Sequence, residues 1–250
     1  MSAIERLLEA LDSQIDAALI VSDANRFYFT GFPSSAGTLL ITREQSYFIV
    51  DFRYIEIAKK TIQNCEVILQ GNLTEQLNEL LARHQVRTLG IEAATLSLAA
   101  YQRFAGTLKT QVLADSRLSD AIEAIRAIKT KEEQDALRSA QIMTDRAFSF
   151  IINHIHPGVT EQDIILNMGA FMERLGSEGR SFDFIAISGP KTSLPHGKAG
   201  TRVIERGDFV TMDFGCKVNG YLSDMTRTVA VGEVSTHQAE VYEIVRQAQE

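Results

Sequence analysis

The segment Gly189–Gly232, GPKTSLPHGKAGTRVIERGDFVTMDFGCKVNGYLSDMTRTVAVG, sets two aspartates and a histidine around one hairpin. An apolar, β-rich run from Phe209 to Val218 meets a second from Tyr221 to Val231. Between them stands Asn219-Gly220, the dipeptide that best tolerates the two positive φ angles of a type I′ turn. A two-residue turn fixes the register. With Val218 opposite Tyr221, Gly215 faces Asp224 and Asp213 faces Thr226, so Asp213 and Asp224 become diagonal neighbours on one face, roughly 7 Å apart or less. That face carries Phe209, Thr211, Asp213 and Gly215 on the first strand and Asp224, Thr226 and Thr228 on the second. Val210, Met212, Phe214, Cys216 and Val218 point the other way, toward a core.

Two ionised carboxylates converging over a half-buried sheet repel each other and are costly to desolvate, so the pattern asks for a cation or a shared proton. A divalent pair answers that need: carboxylate oxygen suits Mn, Co, Zn or Fe, and metals about 3.5 to 4 Å apart are usual in two-metal hydrolytic sites. Two solvated edge residues flanking a turn would show the same spacing, and the strand pattern by itself leaves both readings open.

The residues Ser188-Gly189-Pro190, Pro195-His196-Gly197, Gly207-Asp208-Phe209, Asp213-Phe214-Gly215, Gly220-Tyr221, Ser223-Asp224 and Thr226-Arg227-Thr228 occur in an order that resembles the pita-bread metallopeptidases of the aminopeptidase P and prolidase type. Upstream, Thr30-Gly31-Phe32 and Asp51-Phe52-Arg53-Tyr54 are similar to the creatinase/prolidase N-terminal domain. Ile128-Lys129-Thr130-Lys131-Glu132-Glu133 is similar to the start of the catalytic half. The resemblance implies metal-dependent hydrolysis of the bond between an N-terminal residue and proline, with two divalent ions as cofactor, manganese first and cobalt or zinc as alternatives. It places Asp213 and Asp224 on the metals and His196 against substrate near the scissile bond. It further implies a homodimer acting on peptides with proline at the second position.

The family's other ligands, one histidine and two glutamates on later strands, have no counterpart before Glu250. Two aspartates oppose two negative charges to roughly +4 from a metal pair, which makes for weak binding, so the 250-residue chain is expected to be inactive alone. A helix expected over Thr236–Glu250 carries Val241, Ile244, Val245 and Ala248 at helical spacing and reaches the last residue with no Gly or Pro stop signal. The expectation is a fragment of a longer enzyme. The alternatives are a non-catalytic peptide-binding or scaffold protein on the same fold, or a creatinase-like hydrolase, which works without metal and has no need of both aspartates.

The fold class expected is an α/β N-terminal domain of the creatinase/prolidase type over residues 1–125, followed over 126–250 by an incomplete α+β pita-bread domain. Strands at Ala17–Ser22, Thr38–Ile41, Tyr47–Val50, Glu66–Leu69, Thr88–Ile91 and Gln111–Leu113 alternate with helices near Ala3–Leu11, Phe52–Ile62, Leu73–Arg83 and Leu98–Phe104. From Ser119 to about Ile155 the pattern turns helical throughout. A net charge of -7 with no Lys/Arg cluster interleaved with aromatics excludes a nucleic-acid footprint. The acidic start MSAIERLLEALD and the lack of an apolar run near 18 residues speak against export and against a membrane span. Two cysteines in separate domains, Cys65 and Cys216, suit reduced thiols and a cytoplasmic location.

The other histidines read as structural. His154 and His156 stand two apart, about 200° around a helix, ahead of Pro157-Gly158, and cannot share a metal there. His84 closes a helix, and His237 opens one behind a Ser235/Gln238 capping box. Thr160 with Asp163 forms a similar box for a helix running toward Leu175. Asp183 and Asp208 also read as structural, and Gly176, Gly179 and Gly189 as turns, because they lack phosphate-loop order.

Overall fold

Contacts divide the chain of this computed structural model, which describes Met1–Glu250, into two units, Met1–Lys129 and Thr130–Glu250. The boundary expected after residue 125 falls inside a helix, Arg117–Ala127, and the division follows that helix.

In the first unit, β1 (Ala17–Ile20), β2 (Thr38–Thr42) and β3 (Ser46–Val50) are buried along their whole length, the condition of strands covered on both faces. With β4 (Glu66–Leu69), β5 (Thr88–Ile91) and β6 (Gln111–Leu113) they form one mixed sheet in the order β4-β3-β2-β1-β5-β6. The helices are α1 (Ala3–Ala10), α2 (Asp23–Thr30), α3 (Ile55–Thr61), α4 (Leu73–Arg83), α5 (Leu98–Thr107) and α6 (Arg117–Ala127). Strand alternation sorts the core into two layers. Ala18, Ile20, Leu39, Ile41, Phe48 and Val50 pack with side chains of α1, α2, α3 and α6, whereas Ala17, Leu19, Leu40, Tyr47 and Ile49 pack with those of α4 and α5.

Helix α2 is an addition to the expected elements. Its N-cap, Ser22, makes no side-chain bond to its own helix; the hydroxyl instead donates to Glu92 at 2.6 Å. Glu92 is buried and accepts three more hydrogen bonds, from the backbone N–H groups of Val21 and Ser22 and from Asn25 Nδ2. Arg126 of α6 reaches Asn25 Oδ1 at 2.7 Å. A carboxylate far along the chain thus anchors the segment that enters the helix, which is why the local sequence does not announce it.

In the second unit, α7 (Lys131–Ile151) opens on a Thr130/Glu133 capping box and α8 (Glu161–Arg174) on the expected Thr160/Asp163 box. The continuous helical stretch expected over Ser119–Ile155 is interrupted at Ile128–Thr130, where Thr130 takes an extended conformation to cap α7. β7 (Ile185–Ser188), a 3₁₀ turn (Gly189–Ser193) and β8 (Phe209–Phe214) follow, then β9 (Lys217–Val218), β10 (Tyr221–Leu222), β11 (Met225–Ala230) and α9 (Thr236–Gln249). β8 lies between β11 and β7 in an antiparallel three-stranded sheet, while β9 and β10 pair separately. On one face, Ala186, Val210, Met212, Phe214 and Cys216 pack with Ala147 and Ile151 of α7 and Ile164, Met168 and Met172 of α8. No helix is long and apolar enough to cross a membrane.

Replacing Glu92 with Ala strands two backbone N–H groups in the first unit and should cost that unit about 3 kcal/mol. Urea titration of the variant beside the parent checks this, and an unchanged midpoint would contradict the anchoring role.

Candidate metal centre

Asn219 and Gly220 hold φ of 50° and 79°, and the register they set is the expected one. Val218 pairs with Tyr221, Asp213 with Thr226 and Phe214 with Met225. The ribbon is nevertheless not continuous, because strand pairing lapses at Gly215-Cys216 and Ser223-Asp224. The cause lies outside the hairpin: Ser181 Oγ donates to Ser223 O at 2.6 Å and to Cys216 O at 3.1 Å, and the Ser181 N–H donates to Gly215 O. Residue 215 is pressed so close to the opposite strand that a Cβ there would lie 1.9 Å from Ser223 O. Only glycine fits. Behind the bend, Thr144, Cys216 and Ser223 form a buried polar knot, with Thr144 Oγ1 and Ser223 Oγ 2.6 Å apart.

The bend leaves both aspartates on the open face. Thr226 Oγ1 donates to Asp213 Oδ1 at 2.7 Å, and Thr211 and Thr228 hydroxyls meet at 2.9 Å, so this is the side of the sheet opposite the buried Val210, Met212 and Phe214. Asp213 is half-buried and Asp224 exposed. Asp213 Oδ2 is left uncommitted by the threonine, and neither carboxylate is ion-paired with Lys or Arg. Two hard oxygen donors on one face, without a protein cation between them, fit a divalent ion in donor type. They do not complete a shell: no group of three or more His, Cys, Asp or Glu side chains is placed to hold a metal.

His196 stands exposed in the loop after β7. Ile187 pairs with Thr211 and Ile185 with Asp213, so the two isoleucines point to the Asp213 face. Gly197 lies directly on Ile187, where an added Cβ would come within 3.0 Å of its side chain. The loop bearing His196 is thereby laid over the same face as the two aspartates.

Below the sheet, on the helix side, lies a charged network that no local motif announces. Glu161, the first residue of α8, is fully buried and accepts from Ser188 N (2.8 Å), Ser188 Oγ (2.9 Å), Lys191 Nζ (2.5 Å) and Gly200 N (3.0 Å). Ser188 Oγ accepts in turn from Arg202, which holds Asp208 through two hydrogen bonds of 2.6 and 3.0 Å. Burial pushes the Glu161 and Asp208 carboxyls up more than any one partner lowers them, but the hydrogen bonds from Lys191, Gly200 and Ser188 together outweigh it for Glu161, as do the bonds from Arg202 and the Glu205 N–H with the Arg202 charge for Asp208, and both groups sit below the usual carboxylate range. Asp208 is therefore structural, as expected. Gly189 has φ of 55°, and a Cβ there would meet Arg202 and Asp208 at 2.6 Å, which gives that turn glycine its reason.

The remaining histidines lie in structural settings. His154 lies tilted against Phe150, with ring centroids 4.1 Å apart, and His156 bonds Pro157 O. His84 in the first unit joins Tyr47 and Glu44. His237 begins α9, where the Ser235/Gln238 box forms as expected. Asp183 is exposed.

A sheet carrying paired acids on its open face and two helices on the other is the front part of a pita-bread domain. Residues 135–250 match metallopeptidase family M24, and residues 3–128 match the creatinase/prolidase N-terminal domain. The chain is 34% identical over 248 residues to an Xaa-Pro dipeptidase of Pyrococcus furiosus, covering 98% of this chain and 69% of that one. An uncharacterised peptidase of Bacillus subtilis is 37% identical over 236 residues, with 94% and 66% covered. Among solved structures, an Xaa-Pro dipeptidase from Bacillus anthracis superposes with a TM-score of 0.92 at 38% identity, over 99% of this chain and 69% of that one. The chain belongs to metallopeptidase family M24, with a creatinase-type N-terminal domain ahead of the peptidase domain. It spans about two thirds of the length of these relatives.

Gly215→Ala should be among the most damaging single-methyl changes in the second unit, costing at least about 3 kcal/mol because backbone must move; a melting temperature equal to the parent's would refute the close approach. Stability should also respond to acid with a fixed sign. Depressed folded-state values for Glu161 and Asp208 mean that their contribution is complete above the ordinary carboxylate values near 4.5 and 3.8, and fades as pH falls below them toward the lowered folded ones. Urea midpoints taken from pH 6 downward should fall more steeply for the parent than for Glu161→Gln.

Proposed function

We propose that this chain carries the metal-binding ribbon and the substrate-contacting histidine of an Xaa-Pro peptidase, which hydrolyses the bond between an N-terminal residue and proline. One observation carries the reading: Asp213 and Asp224 share the open face of a register-locked ribbon with no protein cation to neutralise them. Relatives named Xaa-Pro dipeptidase support the substrate class.

Asp213 and Asp224 would hold two divalent ions, with Thr226 fixing the rotamer of Asp213 through its hydroxyl. A bound pair supplies a water activated near neutral pH and a Lewis acid for the scissile carbonyl. His196, on its loop over the same face, donates a hydrogen bond to the substrate where charge develops during attack. Because only two donors come from these residues, full coordination draws on ligands beyond the ribbon, and the 250 residues alone are inactive. Both cysteines are unpaired, which supports a reducing, cytoplasmic setting. Manganese as the resident ion and a homodimer are taken from the family resemblance.

In the complete metal-loaded protein, Asp213→Asn and Asp224→Asn should each remove metal-dependent cleavage of an Xaa-Pro dipeptide and lower the bound metal measured by elemental analysis. Full turnover in either variant would end the assignment.

A further inference from the structure

The segment from Lys191 to Gly200 carries His196 at its middle, and both its ends are fastened to one buried carboxylate. Glu161 Oε2 accepts from Lys191 Nζ at 2.5 Å and from the Gly200 N–H at 3.0 Å. Lys191 also donates across the loop to Lys198 O at 2.9 Å, and Gln162 N donates to Gly200 O at 3.1 Å. The other carboxylate oxygen, Oε1, is held by Ser188 at the end of β7, and Ser188 is in turn held by Arg202 and so by Asp208. The loop is therefore closed at its base and tied to the strand that pairs with β8, the carrier of Asp213.

We propose that Glu161 is a positioning residue for His196, acting through this clasp on Lys191 and Gly200; the proposal rests on the role given to His196 above. The physical argument is one of cost and rigidity. A fully buried carboxylate is retained only where donors saturate it, and here four donors converge, two of them from opposite ends of a single exposed loop. His196 makes no hydrogen bond within the chain that could hold the ring by itself. Fixing the loop ends limits the excursion of the imidazole over the Asp213 face, and small misplacements of a group acting at the reacting centre carry large rate penalties. Glutamine at 161 is nearly isosteric, yet it brings no charge to Lys191, and its amide nitrogen turns N–H groups either toward the loop donors at the Oε2 position or toward the Ser188 N–H at the Oε1 position.

In the metal-loaded protein assayed on an Xaa-Pro dipeptide, Glu161→Gln is expected to lower kcat about tenfold or more while KM and metal content stay near parent values. In a His196→Ala background the same change should cost less than about twofold, because the clasp works through the imidazole. Independently of turnover, amide hydrogen exchange across residues 191–200 should quicken about tenfold in Glu161→Gln with β8 and α7 unchanged. Lys191→Met, which opens one end of the clasp from a partly exposed position, should shift each readout the same way to a smaller degree and serves if Glu161→Gln folds poorly. An equal kcat loss with and without His196, or loop exchange that does not change, overturns the proposal. A His196→Ala variant with parental kcat instead refutes the role of His196, and the catalytic part of the proposal with it, while the exchange data still report whether the clasp exists.

Discussion

Asn219 and Gly220 at positive φ close the ribbon in two residues, and side-chain period in a strand is two, so a slip of one residue would send Asp213 into the helices and Met212 into solvent. The apolar partners of the register resist that slip: Val210, Met212, Phe214 and Met225 are all buried against the helices. The turn and the core thus enforce one pairing, and the pairing is what puts two acids on one open face. Ser181 adds the second constraint by occupying the carbonyls of Cys216 and Ser223, which ends the regular ladder at Gly215 and frees Asp224 from strand pairing while keeping its parity.

Two sets of carboxylates in this protein obey opposite rules. Glu92, Glu161 and Asp208 are buried, and each is met by a set of donors: backbone N–H groups for all three, with Lys191 or Arg202 added for the latter two. Their charges are compensated inside the fold, and they act as fixed points to which loops and helix starts are tied. Asp213 and Asp224 receive one hydroxyl donor between them and no cation. In a folded protein the first arrangement stabilises, whereas the second leaves carboxylate oxygens open to solvent or to a cation.

Much of this was legible in the sequence because the signals were local. Register followed from a dipeptide, and the strand and helix alternation of the first unit followed from periodicity. His196 and the aspartates came from ordered motifs. What the residues concealed has a common cause in long-range hydrogen bonding. Helix α2 depends on Glu92, some 70 residues away in sequence, the break at Gly215 depends on Ser181, and the closure of the His196 loop depends on Glu161, which reads locally as no more than an acid in the first turn of a helix. The single helical stretch expected over Ser119–Ile155 failed for a different reason: Thr130 can continue a helix or cap one, and the capping box with Glu133 decides for the cap.

The charge balance of the ribbon limits what it can do alone. Two carboxylates against a pair of divalent ions leave an excess of about two positive charges, and hard cations of this kind seek further anionic or neutral oxygen and nitrogen donors until their shells are filled. Within the 250 residues no third His, Cys, Asp or Glu side chain stands near enough to join them. In the proposed role the ribbon would form one wall of a site: the turn sets the register, the Thr226 hydroxyl holds Asp213, and affinity would be left to whatever residues face it. Rigidity in this wall matters more than strength, since a donor pair held in place before binding loses little freedom when the ion arrives. His196 shares this trait, since its loop is fastened at its base by Glu161 while its tip stays exposed.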